Sequence, residues 1–266
     1  MKLFFREFGS NGNPIIIVHG LYGCSDNWVS VAKMLSERNR VFAVDLRNHG
    51  RSPHSDECNY NIMCDDLVEF VSSKNIENPI FIGHSMGGRC IALLAKKYPH
   101  LVSKIIFVDI SPFDCEHHEE ILTFHKNILN TLNSVDTTKI HSRIDVAAQI
   151  SEKTKDIDLQ NFLMKNLYKT SNGSFLWRFN ISAILKNVNN FMQGSLEKNE
   201  KNQIQIPALL IKGEKSNYVA TADITAIKAI FTNLKIEEIA DAGHWLHAEK
   251  PKIFVECINK FVNSNK

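Results

Sequence analysis

Six short apolar segments recur along the chain, and longer amphipathic segments separate them. Each is rich in branched and aromatic apolar residues and is short enough to be a buried strand. These segments cover residues 14–20, 40–46, 79–85, 104–110, 207–213 and 234–240. Between them, DDLVEFVSSK at 65–74 and GGRCIALLAKKYP at 87–99 show apolar spacing typical of helices. The alternation predicts an α/β fold, with a mostly parallel sheet flanked by helices. The start, KLFFREFG, is polar and weakly alternating, which suits an antiparallel edge strand.

The alternation stops over residues 112–201, where the sequence shows helical patterns and no convincing strand. Residues 119–132 place apolar side chains close to a helical repeat, and residues 159–167 also favour a helix. A helical insertion between two sheet strands is the simplest interpretation, because ligands bind beside the strand ends of open α/β sheets. The predicted organisation is an α/β core, formed by residues 1–111 and 202–266, and a helical cap, formed by residues 112–201.

Composition is that of a soluble globular protein, with 266 residues, 44% hydrophobic and 23% charged residues. A net charge of +2 gives no basis for nucleic-acid binding. The start lacks the apolar core of a signal peptide, and no window approaches the roughly 18 apolar residues of a membrane span. The six cysteines form no CxxC pair, and we expect reduced thiols in a cytoplasmic protein. We expect no metal or organic cofactor, and a monomer or weak homodimer.

The strongest chemical signal is GHSMG at 83–87, a G-x-S-x-G motif between a predicted strand and a predicted helix. A serine at the tip of such a tight turn has an exposed hydroxyl, and the small residues around it let the chain pass closely. The N-terminus of the following helix favours developing negative charge. The motif predicts that Ser85 is a nucleophile; the alternative is a structural glycine-rich turn.

A second signal is HGLYG at 19–23, after the first long buried strand. Such a loop can present a backbone N–H to an oxyanion, together with the N–H of the residue after the nucleophile. The predicted donors are the N–H groups of Leu21 and Met86. His19 is expected to brace this loop by hydrogen bonds.

The third signal, DAGHWLHAEKP at 241–251, follows the last predicted strand. His244 leaves this strand in a loop from which it could reach Ser85, whereas His247 is expected to pack at the start of the final helix. A serine needs a neutral imidazole to take its proton during attack on a carbonyl carbon. We therefore expect His244 to be the general base.

These motifs, in this order, resemble the α/β-hydrolase superfamily over the whole chain. The longer strings resemble the esterase group of the bacterial YbfF esterases and the mitochondrial hydrolase ABHD11: DLRNHGRSP (45–53), GHSMGGR (83–89), VDISPFD (108–114), WRFN (177–180) and AGHWLHAEKP (242–251). The resemblance implies a hydrolase of short acyl esters, with acyl-CoA thioesters as a further substrate class. Two alternatives stay open: a C–C bond hydrolase or lyase of the menaquinone-synthesis type, whose elbow also contains SMGGR, and a non-catalytic ligand-binding member of the fold.

The acid that orients the histidine is the open question of the catalytic set. In many superfamily members it follows the strand that ends here in GEKSNYV (213–219), where Ser216 occupies its place. A hydroxyl cannot stabilise imidazolium as a carboxylate does. The resemblance implies Asp109, at the carboxyl end of the preceding core strand. Glu214 is the alternative, and in a third interpretation Asp109 only caps a turn.

Six further residues are candidates for the pocket wall: His84, Arg89, Phe124, Trp177, Ser216 and Trp245. Arg89 could contact an anionic ligand or form a surface ion pair. Trp177 is expected to line or anchor the cap, and Phe124 is expected to belong to the core of the cap or to the substrate wall.

Overall fold

The structure is a computed structural model that describes residues 1–114, 118–135, 140, 142–199 and 202–264. Its strands are β1 (Phe5–Phe8), β2 (Asn13–Val18), β3 (Asn39–Val44), β4 (Ile80–His84), β5 (Lys104–Val108), β6 (Leu167–Lys169), β7 (Phe175–Trp177), β8 (Ala208–Gly213) and β9 (Leu234–Ile239). Its helices are α1 (Val29–Leu35), α2 (Tyr60–Ser73), α3 (Met86–Lys97), α4 (His118–Ser134), α5 (Arg143–Lys153), α6 (Ile157–Lys165), α7 (Ile181–Met192), α8 (Thr221–Ile230), α9 (Leu246–Glu249) and α10 (Pro251–Asn263).

Seven strands of the described residues form one sheet in the order β1-β3-β2-β4-β5-β8-β9. The pairs β2–β3, β2–β4, β4–β5, β5–β8 and β8–β9 are parallel. Strand β1 pairs antiparallel with β3 at one edge. The α/β prediction and the antiparallel edge strand are both confirmed, and each of the six apolar segments overlaps one strand.

The sheet separates two buried apolar clusters, and β2 contributes to both because successive side chains point to opposite faces. Ile16 and Val18 join one cluster, whereas Ile15 and Ile17 join the other. The first cluster includes side chains of α2, α3 and α7, and the second those of α1 and α10. These four side chains are fully buried, and each contributes roughly 1.5–3 kcal/mol of hydrophobic stabilisation. Burial on both faces explains the continuous apolar run in the sequence.

The segment between β5 and β8 contains α4 to α7, and α4 and α6 overlap the helical patterns at 119–132 and 159–167. It also contains a feature that the prediction missed. Strands β6 and β7 pair antiparallel, which corrects the expectation of no strand between residues 112 and 201. The Thr170 N–H donates to the Ser174 carbonyl at 2.8 Å, and Gly173 takes a φ of 89°. Strands of three residues are too short to show a period-two alternation, which explains the miss.

Among the described residues, no helix combines the length and the apolar character that a membrane crossing requires.

Candidate active site

Ser85 lies at the turn between β4 and α3 with a φ of 51° and a ψ of −121°. Positive φ is uncommon for a residue with a side chain, and such strain costs about 1–3 kcal/mol. Met86 is the first residue of α3, so its N–H has no acceptor within the helix. The turn therefore brings a hydroxyl and a helix N-terminus to one place.

Glycines on either side of Ser85 allow this turn. A Cβ at Gly83 would lie 2.5 Å from the Gly87 carbonyl oxygen, and one at Gly87 would lie 2.4 Å from the Val18 carbonyl oxygen. Both distances are well inside van der Waals contact. Both positions of G-x-S-x-G therefore require glycine, because a Cβ at either would collide with a neighbouring backbone carbonyl. This agrees with the steric argument made from the sequence.

The loop after β2 lies against Ser85. A Cβ at Gly20 would lie 3.1 Å from the Ser85 Cβ, and the backbones of the two segments therefore approach closely. His19 braces the loop: its Nδ1 lies 2.8 Å from the Gly20 carbonyl oxygen, and its Nε2 accepts from the Leu46 N–H at 3.0 Å. Burial lowers the pKa of His19 to about 4, and the ring is neutral with Nδ1 as the donor. The predicted bracing contacts are present.

Asp109 follows β5 at the same edge of the sheet and is fully buried, with a φ of 50°. Its Oδ1 accepts from the Gly213 N–H at 3.0 Å, and its Oδ2 accepts from His244 Nδ1 at 2.7 Å. The Ser216 hydroxyl also donates to Oδ2. The sequence position that lacks an acid therefore supplies a hydrogen-bond donor to an acid on the neighbouring strand.

Glu214, the alternative acid, is exposed, and its carboxylate binds a backbone N–H instead of His244. Its Oε2 accepts from the Asp241 N–H at 2.8 Å, which ties the loop after β8 to the turn after β9. His244 Nδ1 thus donates to Asp109, and Glu214 takes no part in this hydrogen bond.

The two candidate histidines have different environments. His244 bonds to Asp109, whereas His247 is buried and stacks on Trp28 with ring centroids 4.2 Å apart. Burial lowers the pKa of His247 to about 3, with a smaller effect from His244. His84, inside the G-x-S-x-G motif, donates from Nε2 to the His244 carbonyl oxygen at 2.9 Å. His84 therefore holds the backbone of the loop that carries His244.

A cavity of about 780 Å³ joins these groups. The backbone or side chains of Leu21, Ser85, Met86, Ser216 and His244 all line it. Its described wall also includes apolar side chains: Ile121, Phe124, Leu159, Phe162, Val219 and Trp245. The arrangement combines a strained serine, a carboxylate-bound imidazole and a helix N-terminus around one space.

Of the six predicted wall residues, five line this cavity: His84, Arg89, Phe124, Ser216 and Trp245. Trp177 is not among the lining residues; it lies on β7, with its ring 5.8 Å from that of Phe179.

Arg89 forms no surface ion pair with any residue that the structure describes, which corrects one of the two roles considered for it. It is buried, and its guanidinium donates to five backbone carbonyls: Ser111, Phe113, Phe191, Met192 and Gln193. These bonds connect α3 with the loop after β5 and with the end of α7. The sequence could not reveal these contacts, because the carbonyls belong to residues 111–113 and 191–193, which are more than 20 and more than 100 positions from Arg89.

Two aromatic neighbours of the site were not predicted. Tyr218 stacks on His244 with ring centroids 3.7 Å apart and an angle of 14°. His125 on α4 lines the cavity, and its Nδ1 lies 3.0 Å from the Tyr22 hydroxyl. Tyr218 falls inside GEKSNYV, so proximity to that motif was its available signal. His125 lies outside the motifs, and only its partner Tyr22 falls inside HGLYG.

The comparison with known proteins agrees with this geometry. A family model described as alpha/beta hydrolase fold matches residues 13–251. The chain is 32% identical over 253 residues to Esterase YbfF of Escherichia coli strain K12, covering 95% of this chain and 94% of that protein. It is also 32% identical over 266 residues to sn-1-specific diacylglycerol lipase ABHD11 of Danio rerio, covering 98% and 83%. A solved marine microorganism esterase superposes with a TM-score of 0.92 at 41% identity, covering 98% and 99%.

The chain therefore belongs to the α/β-hydrolase family. Within it, the chain falls in the group that contains YbfF and ABHD11, as the five sequence strings predict.

Proposed function

We propose that the protein is a serine hydrolase that cleaves carboxylic esters through an acyl-enzyme on Ser85. The observation that supports this most strongly is one cavity lined by a strained serine and by an imidazole bonded to a buried carboxylate. A carboxylate that accepts from Nδ1 holds the histidine with Nε2 unprotonated, which is the form a general base needs. Relatives named esterase and lipase point to the same bond.

In the first half of the proposed reaction, the Ser85 oxygen attacks the acyl carbon while His244 Nε2 takes the hydroxyl proton. The carbonyl oxygen becomes an oxyanion and accepts from the N–H groups of Leu21 and Met86. The C–O bond of the ester then breaks, and the alcohol leaves with the proton from His244. Asp109 stabilises the imidazolium throughout this half-reaction.

In the second half, water attacks the acyl-enzyme. His244 takes a proton from the water, the second oxyanion uses the same two N–H groups, and the carboxylic acid leaves as Ser85 recovers its proton. The steps need only protein groups and water.

Residues 112–201 act in this proposal as a cap that supplies much of the substrate wall. Phe124 and Phe162 on its helices line the cavity opposite the sheet-borne groups. A cavity of about 780 Å³ has the size of an ordinary small-molecule pocket. Short acyl esters are the substrates that the resemblance to the YbfF and ABHD11 group implies. Thioesters share the same acyl-enzyme chemistry, so acyl-CoA substrates belong in the same assay.

Hydrolysis of p-nitrophenyl esters and of acyl-CoA thioesters over a range of acyl lengths tests the proposal. We expect turnover that falls by at least about a thousandfold in Ser85→Ala. The exposed Ser72→Ala serves as the matched serine control and should retain activity. A lyase or C–C bond hydrolase would turn over p-nitrophenyl acetate little, and a non-catalytic protein would leave Ser85 unlabelled by a fluorophosphonate; either result would overturn the assignment.

A further inference from the structure

A histidine stands on the buried face of α4 where an apolar side chain would be expected. Leu122, Leu129 and Leu132 on this helix are buried, and His125 lies on the same stripe, three residues after Leu122 and four before Leu129. A polar side chain at such a position costs free energy unless it is hydrogen-bonded. His125 therefore needs a polar role to balance its place among apolar neighbours.

One of its two ring nitrogens has a partner. Nδ1 lies 3.0 Å from the Tyr22 hydroxyl. The ring of His125 forms no further hydrogen bond with the residues that the structure describes. Tyr22 is itself buried and follows Leu21, the proposed oxyanion donor. The bond therefore connects α4 with the loop that faces Ser85.

The chemistry of this pair fixes where its protons lie. Burial lowers the pKa of His125 to about 4, and the ring is neutral with a single N–H. Burial also raises the pKa of Tyr22 well above its usual value, which keeps the phenol protonated. A phenol O–H is a more acidic donor than a neutral imidazole N–H, which favours O–H···Nδ1 and leaves the ring proton on Nε2.

The second nitrogen has access to the cavity. Some ring nitrogens of the described residues are sealed from solvent without a partner, among them His49 Nε2 and His247 Nδ1, but His125 Nε2 is not one of them. The side chain of His125 is partly exposed and lines the cavity that also contains Ser85 and His244. Apolar side chains such as Phe124 and Leu159 line the cavity together with polar ones such as Asp156 and Asn217. An N–H donor on such a wall is a recognition group for an oxygen acceptor.

We propose that His125, held in the Nε2–H form by Tyr22, is a specificity-determining residue that donates a hydrogen bond to a second oxygen atom of the substrate. The preferred substrates are esters that carry an ether, hydroxyl or further ester oxygen besides the scissile group. The proposal rests on the ester-hydrolase function and deepens it by naming a substrate class.

Nitrogen NMR of histidine-labelled protein tests the proton placement without any turnover. Ser85→Ala protein should show the His125 ring as the Nε2–H tautomer, with the assignment made by loss of the signal in His125→Gln. Tyr22→Phe should shift the ring toward a mixture of tautomers, because the phenol proton that holds Nδ1 is gone. A ring found as Nδ1–H in the parent protein would overturn the proposal.

Matched substrates test the recognition. Methoxyethyl butanoate differs from butyl butanoate by an oxygen in place of a methylene on the alcohol side. The p-nitrophenyl esters of methoxypropanoic and pentanoic acid provide the same exchange on the acyl side. The selectivity is the ratio of kcat/KM for the oxygen-containing ester to that for its hydrocarbon partner. A general loss of activity, or an intrinsic difference in ester reactivity, cancels when the ratios of two protein variants are compared.

We expect His125→Phe to lower this selectivity by about three- to tenfold for one of the two pairs, the net effect of one hydrogen bond. The pair that responds identifies the acyl or alcohol side. His125→Gln keeps an amide N–H near the Nε2 position and should restore part of the selectivity. His100→Phe makes the same exchange at an exposed histidine that does not line the cavity, and it should leave the ratio unchanged.

If His125→Phe has the same selectivity as the parent protein for both pairs of esters, the proposal is overturned. A histidine with only a structural role would lower kcat/KM for all four esters by the same factor and leave both ratios unchanged. Absence of ester hydrolysis in the parent protein would instead refute the proposed function. The NMR result separates the two failures, because it does not depend on hydrolysis.

Discussion

The hydroxyl of Ser216 and the Nδ1–H of His244 donate to the same oxygen, Oδ2 of Asp109. The remaining oxygen of that carboxylate accepts from the Gly213 N–H at 3.0 Å. Strands β5 and β8 are parallel neighbours, so the residues that follow them meet at one edge of the sheet. An acid after β5 can therefore occupy the space that an acid after β8 would use.

Replacing this carboxylate tests which acid serves the histidine. We expect Asp109→Asn to lower kcat by about 10⁴-fold with the fold intact, because an amide presents its NH₂ or its oxygen without the charge that stabilises imidazolium. Ester hydrolysis and a circular-dichroism melt measure the two effects. Glu214→Gln is the matched control and should keep near-parent activity. The reverse pattern would assign the acid to Glu214.

The shared oxygen also predicts that the acid can be moved between strands. Ser216→Asp in the Asp109→Asn background places a carboxylate where the Ser216 hydroxyl approaches the atom that binds His244. We expect this double variant to regain about ten- to a hundredfold of the lost kcat, because the imidazolium again has a charged partner. Asp109→Asn with Ser216→Asn offers the same shape without the charge and should regain none. Equal activity of the two double variants would show that the position cannot serve the histidine.

The sheet was predictable from the sequence because it follows from local pattern, whereas the choice of Asp109 as the acid was implied by the family resemblance. Buried parallel strands leave continuous apolar runs, and the carboxyl ends of such strands share an edge. Asp109 lies near the end of the run at 104–110 and Ser216 follows the run at 207–213, so their proximity could be expected before the structure. The hydrogen bond of Asp109 to His244 agrees with that reasoning.

Contacts between segments that are distant in the chain left no such pattern. The carbonyl partners of Arg89 include residues 191–193, and nothing in the sequence around Arg89 specifies them. The pairing of His125 with Tyr22 spans 103 positions and crosses from α4 to the loop after β2. Strands β6 and β7 were missed for another reason, since three residues are too few for an alternation.

Arg89 predicts a large stability effect. Arg89→Met removes a charged donor from five backbone carbonyls that are held in a buried region, and we expect the free energy of unfolding to fall by about 3 kcal/mol. Urea titration measures the change. Arg40→Met is the comparison, because Arg40 pairs with Glu7 at a site where both side chains are 38% exposed; its cost should stay below about 1 kcal/mol. Equal effects of the two variants would show that the Arg89 bonds add little.

The buried histidines predict loss of stability in mild acid. Burial lowers the pKa of His19 to about 4 and those of His49 and His247 to about 3, from an ordinary value of 6.5. Between pH 6.5 and about 4 the unfolded chain therefore binds protons that the folded chain does not. The free energy of unfolding should fall as the pH drops through this window, and each such histidine adds up to about 1.4 kcal/mol per pH unit.

His247→Gln isolates one of these contributions, since the amide does not titrate. Urea unfolding of parent and variant at several pH values between 8 and 4.5 gives the slopes. Above about pH 7.5 the two curves should run parallel, because the ring is neutral in both the folded and the unfolded chain. Below pH 6 the variant should lose stability less steeply, by close to one proton. Parallel curves down to pH 4.5 would mean that the His247 ring, stacked 4.2 Å from Trp28, accepts a proton in the folded protein as readily as in the unfolded chain.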